Sequence, residues 1–193
     1  MIMDVTSSLA ELRHLKYLDL SGNLFQRSQI LYFIGSLKQL SYLNLSDAEF
    51  IGIIPPHIGN LSNLKVLDLS LNFKLNADEM AWAFGLSSLE LLHLSSVDLS
   101  GAHNWDMVLH MIPSLKELSL RRCSLSNFNL GAFLNSSRVL PNTKHLDVGF
   151  NSTKKKKKKK KTVFVYTIIK IVTSDSQGLI GNYWDFIEEI LEV

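Results

Sequence analysis

The sequence predicts an α/β solenoid: a right-handed coil of short repeats with a parallel β-sheet on its concave face, and short helices and irregular segments on its convex side. Three observations predict it. Leucines recur as Leu-x-x-Leu-x-x-Leu-x-Leu, six copies of this pattern follow one another, and consecutive copies begin 24 to 28 residues apart. The copies begin at Leu12, Leu37, Leu61, Leu86, Ile112 and Leu140. The spacing lies within the range of roughly 20–29 residues that defines leucine-rich repeats.

The Leu-x-Leu core of each copy predicts a short strand. Side chains alternate along a strand, so the two leucines point inward while the residues between and before them point outward. Stacking of the copies then aligns the strands in a parallel sheet on the concave face.

A further recurring position lies three residues after the second leucine of each Leu-x-Leu core. Asparagine at this position predicts a ladder of hydrogen bonds between its side chain and exposed backbone groups. The six copies place there, in order, Asn23, Ala48, Asn72, Val97, Cys123 and Asn151. Alanine and valine lack an amide, so we expect the ladder to be broken at two rungs. Cysteine is a permitted alternative at this position, and we expect Cys123 to be a small buried residue rather than a reactive thiol.

The segments that return between strands build the convex side. Residues 105–112 have helical spacing and precede a proline, and residues 78–84 predict a second short helix. Residues 50–61 predict an extended, turn-rich return instead, because Pro55 and Pro56 both lack a backbone donor.

The net charge of +2 is the sum of two oppositely charged parts of the 193-residue chain. Eight of its 20 basic residues form the run 154–161, and the remaining 12 face 18 acidic residues, which leaves that remainder at −6. A generally basic nucleic-acid-binding surface is therefore excluded, and no nucleic-acid partner is expected.

The repeat pattern ends at the lysine run, which divides the chain. We expect a solenoid of about six repeats over 1–151, a poly-lysine linker over 152–161, and a non-repeat tail over 162–193 with a strand and a short amphipathic helix. The run itself has three interpretations: an electrostatic tether to anionic lipid or nucleic acid, a disordered spacer, or translation of an adenine tract where the repeat sequence ends.

Several classes of protein are excluded by missing signatures. The single cysteine allows no intrachain disulfide, and the sequence shows no metal-ligand spacing, phosphate-binding glycine loop, nucleophile elbow or kinase motif. We expect no enzyme activity, no cofactor and no metal. No signal peptide is recognised, and the longest apolar stretch, 163–172, is shorter than the roughly 20 residues of a membrane span.

The repeat consensus resembles that of plant extracellular leucine-rich-repeat receptors. Leu64 to Asn72 matches its first half, and Gly52 to Leu61, with its Gly-x-Ile-Pro core, matches its second half. Over residues 8–151 the chain is similar to the kinase-lacking receptor-like proteins that include receptors for fungal xylanase. Because the family's caps, signal peptide and membrane helix are not recognised, the chain resembles an N-terminal repeat fragment of such a receptor.

This resemblance implies a non-enzymatic ectodomain that binds a peptide, protein or glycan ligand. It further implies a place at the plasma membrane facing outward, a co-receptor kinase as partner, and a role in defence or developmental signalling. Two alternatives remain open: a soluble leucine-rich-repeat inhibitor of a secreted hydrolase, and a non-functional truncated receptor copy.

Outward positions on the concave face supply the candidate ligand-binding residues. They are Tyr17, Asp19, Tyr42, Asn44, Asp68, His93, Glu117 and Arg121. The two tyrosines flanked by acids would form a ligand patch, since aromatic side chains give contact area at low entropic cost. The alternative is a solvated polar face on which Arg121 is paired or merely hydrated.

Asn-x-Ser/Thr sequons mark candidate glycosylation sites at Asn44, Asn60 and Asn135. A fourth sequon begins at Asn151, where a glycan would compete with the ladder.

Overall fold

The computed structural model describes residues 11–105, 107–125 and 143–151. The expected linker 152–161, the tail 162–193 and Asn135 lie outside the described residues. Every strand of the described part is three residues long. The strands are β1 (Tyr17–Asp19), β2 (Tyr42–Asn44), β3 (Ile51–Ile53), β4 (Val66–Asp68), β5 (Lys74–Asn76), β6 (Leu91–His93), β7 (Glu117–Ser119) and β8 (His145–Asp147).

One parallel sheet runs through the repeats in the order β1-β2-β4-β6-β7-β8. Its register sets the central leucine of each strand beside that of the next, and these leucines are all buried: Leu18, Leu43, Leu67, Leu92, Leu118 and Leu146. Full burial of one leucine side chain contributes about 1.5–3 kcal/mol, so the repeated column makes a large contribution to stability. The predicted leucine-rich-repeat fold is confirmed.

A second parallel pair, β3 and β5, lies where the chain turns away from the main sheet. It was not predicted. Asn76 at the end of β5 forms a further parallel bridge to Asp98, which extends this pairing into the next repeat.

Among the described residues, the convex side carries three short 3-10 helices, Tyr32–Ser36, Pro56–Asn60 and Ala81–Gly85, and one α-helix, α1 (Met107–Met111). The expectation of an extended return over 50–61 is only half right, because β3 is followed by a 3-10 helix that begins at Pro56. A proline in the first helical position loses no hydrogen bond, since that N–H would be unpaired in any case. Within the described ranges, no helix is long and apolar enough to cross a membrane.

Three glycines let the convex segments approach one another closely. A Cβ on Gly35 would lie 2.2 Å from the carbonyl oxygen of His57, and one on Gly59 would lie 2.3 Å from that of Trp82. A Cβ on Gly85 would lie 2.2 Å from the Gly59 oxygen. These contacts are with backbone, which cannot move aside as a flexible side chain would.

Asn72 shows how the ladder connects adjacent repeats. Its Oδ1 accepts from the backbone N–H groups of Ala48 and Phe50 at 3.3 and 2.9 Å. Its Nδ2 donates to the carbonyls of Leu45 and Leu69, both at 2.9 Å. The amide thus satisfies buried backbone groups in its own repeat and in the one before it.

Asn151 repeats this geometry at the other end of the described chain, bonding the N–H groups of Cys123 and Leu125 at 2.9 and 3.1 Å. At two of the three rungs without asparagine, a main-chain carbonyl substitutes: that of Ala48 accepts from the Phe25 N–H, and that of Cys123 accepts from the Leu99 N–H. The missing side chains therefore do not leave these N–H groups unpaired.

Candidate functional site on the concave face

Two columns of outward side chains cross the main sheet, one on each side of the buried leucines. The first holds Tyr17, Tyr42, Val66, Leu91, Glu117 and His145, and the second holds Asp19, Asn44, Asp68, His93, Ser119 and Asp147. Neighbouring strands lie about 4.8 Å apart, so successive members of a column are in contact range. Seven of the predicted ligand residues stand in these columns, and Arg121 follows β7.

Tyr17 and Tyr42 stack face to face at the β1 end of the first column. Their ring centroids are 4.2 Å apart and their planes differ by 7°. Tyr17 is 58% exposed, whereas Tyr42 is half-buried beside Val66. The pair forms a rigid aromatic ledge on which a ligand group can pack.

Asp19 lies beside this ledge with its carboxylate fixed by hydrogen bonds. Oδ1 accepts from the N–H and hydroxyl of Ser21 at 2.9 and 2.6 Å, and Oδ2 accepts from the Asn44 amide at 3.3 Å. The bonds from Ser21, followed by the one from Asn44, lower the pKa of Asp19. The carboxylate is therefore ionised at neutral pH.

His93 bridges two carboxylates at the centre of the face. Its Nδ1 lies 3.5 Å from Asp68 Oδ2 and its Nε2 lies 3.0 Å from Glu117 Oε1. The hydrogen bond to Asp68 raises the pKa of His93, against the opposing effect of burial, and Glu117 adds to the rise. Burial would raise the pKa of Asp68, but hydrogen bonds from His93 and Ser70 outweigh it and lower that pKa.

Arg121 is paired within the chain at the β8 end. Its Nη1 lies 3.8 Å from Asp147 Oδ2, and its guanidinium carbon lies 4.2 Å from the centroid of the Phe150 ring. The guanidinium of Arg122 lies 4.9 Å from the same ring. Phe150 was missed because it stands in a turn, and only the register of that turn against the preceding one brings it to the arginines.

The glycosylation candidates lie in different surroundings. Asn60 is exposed at the end of the Pro56–Asn60 helix, whereas Asn44 is half-buried on β2 and bonded to Asp19 and the Ser46 N–H. Asn151 is buried. In the part of the chain that the structure describes, no group of three or more His, Cys, Asp or Glu side chains is placed to hold a metal ion.

Comparison with known proteins identifies the family. The Leucine Rich Repeat model matches residues 14–37 and 39–61. Receptor-like protein EIX1 of tomato (Solanum lycopersicum) is 46% identical over 181 residues, which is 92% of this chain and 17% of that protein. The chain belongs to the leucine-rich-repeat receptor-like proteins of plants. Tomato receptor-like protein EIX2 is also 46% identical, over 144 residues covering 74% of this receptor-like chain and 14% of EIX2.

Solved structures of plant receptor ectodomains share the fold. The Arabidopsis receptor kinase HAESA, in complex with the peptide hormone IDA and the co-receptor SERK1, gives a TM-score of 0.57 at 27% identity. That match covers 76% of this receptor-like chain and 23% of HAESA. The receptor-like chain spans less than a fifth of the length of the two tomato relatives.

Proposed function

We propose that the chain is a ligand-recognition segment of a plant receptor-like ectodomain and that it binds its ligand on the concave face without chemical catalysis. The observation that carries this proposal is the unbroken column of Tyr17, Tyr42, Val66 and Leu91 beside the polar column that begins at Asp19. An apolar stripe bordered by polar groups is the arrangement that protein interfaces use.

The sheet makes this face suitable for recognition because it is held rigid from behind. Every strand of the main sheet is anchored by a buried leucine, and the inner strands β2, β4, β6 and β7 are paired with a neighbour on each side. A ligand therefore meets side chains that need little ordering, which leaves more of the contact energy available for binding. The stacked tyrosines supply contact area, and Asp19, Asp68 and His93 supply directional polar groups.

The proposed ligand is a peptide, protein or glycan that reaches the outer face of the plasma membrane. A co-receptor kinase is the proposed signalling partner, since the HAESA complex contains a peptide hormone and a co-receptor. Defence or development is the proposed setting. Asn60 is the proposed position of an N-linked glycan, because it is exposed and lies on the side opposite the ligand face.

A displayed library of random peptides, selected on the full chain, tests this function. Leu91→Ser removes an apolar group from the concave column, and Met111→Ser is the matched control on convex helix α1, where Met111 is 47% exposed. We expect selected peptides to bind the Leu91 variant about tenfold more weakly and the Met111 variant normally. Peptides that lose affinity only for the Met111 variant would place recognition on the other side of the solenoid.

A further inference from the structure

At the β8 end of the concave face, the side chain of one arginine of this chain lies between a carboxylate and an aromatic ring. Arg121 lies 3.8 Å from the Asp147 carboxylate, with its guanidinium over the ring of Phe150. Such a site attracts a guanidinium in two ways, because the carboxylate forms an ion pair with it and the ring face attracts its positive charge.

The β1 end presents the same two kinds of group without a cation. Asp19 and the Tyr17–Tyr42 ledge lie on one face, and both Tyr17 and Asp19 are exposed. The position two residues after the strand, occupied by Arg121 after β7, is occupied here by Ser21. Within the described ranges, no Lys, Arg or His forms an ion pair with Asp19.

The carboxylate of Asp19 is also positioned in advance. Three donors from Ser21 and Asn44 fix its orientation. The Tyr17 hydroxyl also interacts with this carboxylate and helps to lower its pKa, and a bound guanidinium can take the place of that weaker, uncharged donor. An incoming cation therefore finds a fixed, ionised group next to an aromatic surface.

We infer that Tyr17, Asp19 and Tyr42 form a site for the guanidinium of an arginine side chain carried by a peptide or protein ligand. The inference rests on the proposed function and names the chemical class of its ligand. A guanidinium fits better than an ammonium because it is planar, so it can stack on a tyrosine ring while donating to a carboxylate in its own plane. An uncharged glycan would leave the charge of Asp19 without a partner.

Titration with two defined peptides tests the site. The probes are Ac-Gly-Gly-Arg-Gly-Gly-amide and its citrulline counterpart, which has the same shape without the charge. Each is added to the full chain with ring-labelled tyrosine, and binding is followed by nuclear magnetic resonance. We expect the arginine peptide to shift the Tyr17 and Tyr42 ring signals and to bind about five- to tenfold more tightly than the citrulline peptide.

Asp19→Asn should abolish this preference, and the control Asp147→Asn should leave it unchanged because Asp147 already pairs with Arg121. Tyr17→Leu retains the charge but removes the outer ring, so the preference should fall partway. Equal binding of the two peptides, or equal loss of the preference in both aspartate variants, would overturn the inference.

The outcomes separate this site from the wider proposal. Library peptides that depend on Leu91 while the probes show no arginine preference would overturn the guanidinium site and support concave recognition. An arginine preference that depends on Asp19, without any Leu91-dependent library peptide, would support the site and contradict recognition along the whole face.

Discussion

On the concave side of this solenoid, side chains at equivalent positions differ widely from strand to strand: tyrosine, valine, leucine, glutamate and histidine follow one another in a single column. On the convex side, Gly35, Gly59 and Gly85 leave no room even for a methyl group. The difference arises from where backbones meet. Concave side chains extend into solvent from strands a fixed distance apart, whereas the convex 3-10 helices touch through their main chains. Ligand specificity can therefore vary on one side while packing constrains the other.

Substitution of Gly59 by alanine tests this contrast and should have the largest effect. The new Cβ would lie 2.3 Å from the Trp82 carbonyl oxygen, so two convex helices must separate. We expect a loss of about 3 kcal/mol in the free energy of unfolding, the upper part of the range for overpacked interiors, measured by urea denaturation.

Gly22→Ala is the matched control for this prediction. A Cβ at Gly22 meets nothing within 4 Å, and only its φ of +67° disfavours alanine. The expected loss is about 1 kcal/mol. Equal losses in the two variants would mean that backbone conformation, rather than the close approach of convex segments, explains the glycines.

Asn72 connects adjacent repeats, and its replacement by alanine should have the next largest effect. Its amide bonds five backbone groups and is fully buried, so the substitution leaves buried donors and acceptors without partners. We expect a loss of about 2 kcal/mol in the free energy of unfolding by urea denaturation.

Asn23 is the control for the ladder, since it occupies the same position in the first repeat. It is exposed, and its amide donates only to the carbonyls of Leu20 and Ser21. Asn23→Ala should cost about 0.5 kcal/mol because water can replace the lost bonds. A loss as large as that of the Asn72 variant would show that the asparagine position acts locally and not as a connection between repeats.

Leucine spacing was sufficient to predict the main sheet and its columns, because each inward leucine fixes which residues of its strand point outward. Column membership in turn placed Tyr17 next to Tyr42. Contacts that cross between different positions of the repeat were not predictable in this way: His93 reaches Glu117 in the other column, and Arg121 reaches Phe150 in a turn. These depend on side-chain length and on turn register, which periodicity does not encode.

The helix at Pro56–Asn60 was missed for a different reason. The two consecutive prolines predict an extended return, yet Pro55 precedes the helix in an extended conformation with φ −67° and ψ 128°, and Pro56 occupies the first turn of the helix. Proline is excluded from the interior of a helix but is favoured in its first turn. The pattern of residues 50–61 was therefore compatible with both conformations, and packing of the helix against its neighbours decides between them.

The concave face should differ from the convex side in its response to pH, which is the smallest of the expected effects. The pKa of His93 is raised above 6.5 by its bridge to Asp68 and Glu117, so its protonated form stabilises the fold. This contribution is fully present below about pH 6.5 and is lost as pH rises through the higher folded-state pKa. The lowered pKa of Asp68 limits the stabilisation at low pH. The ionised Asp68 carboxylate contributes to stability above about pH 4, and this contribution is lost as pH falls through the folded-state pKa of Asp68.

We therefore expect His93→Gln to destabilise the chain more at about pH 5.5 than at about pH 8.5, by about 0.5 kcal/mol, the scale of a partly exposed ion pair. Urea denaturation at the two pH values measures the difference. His57→Gln is the matched control, because His57 lies exposed on the convex Pro56–Asn60 helix, where its ring contacts Tyr32 and forms no ion pair with a described carboxylate. If the two variants show the same pH dependence, the bridge does not hold the proton on His93. A dependence confined to the His93 variant would show that the concave face carries a charge arrangement that the convex side lacks.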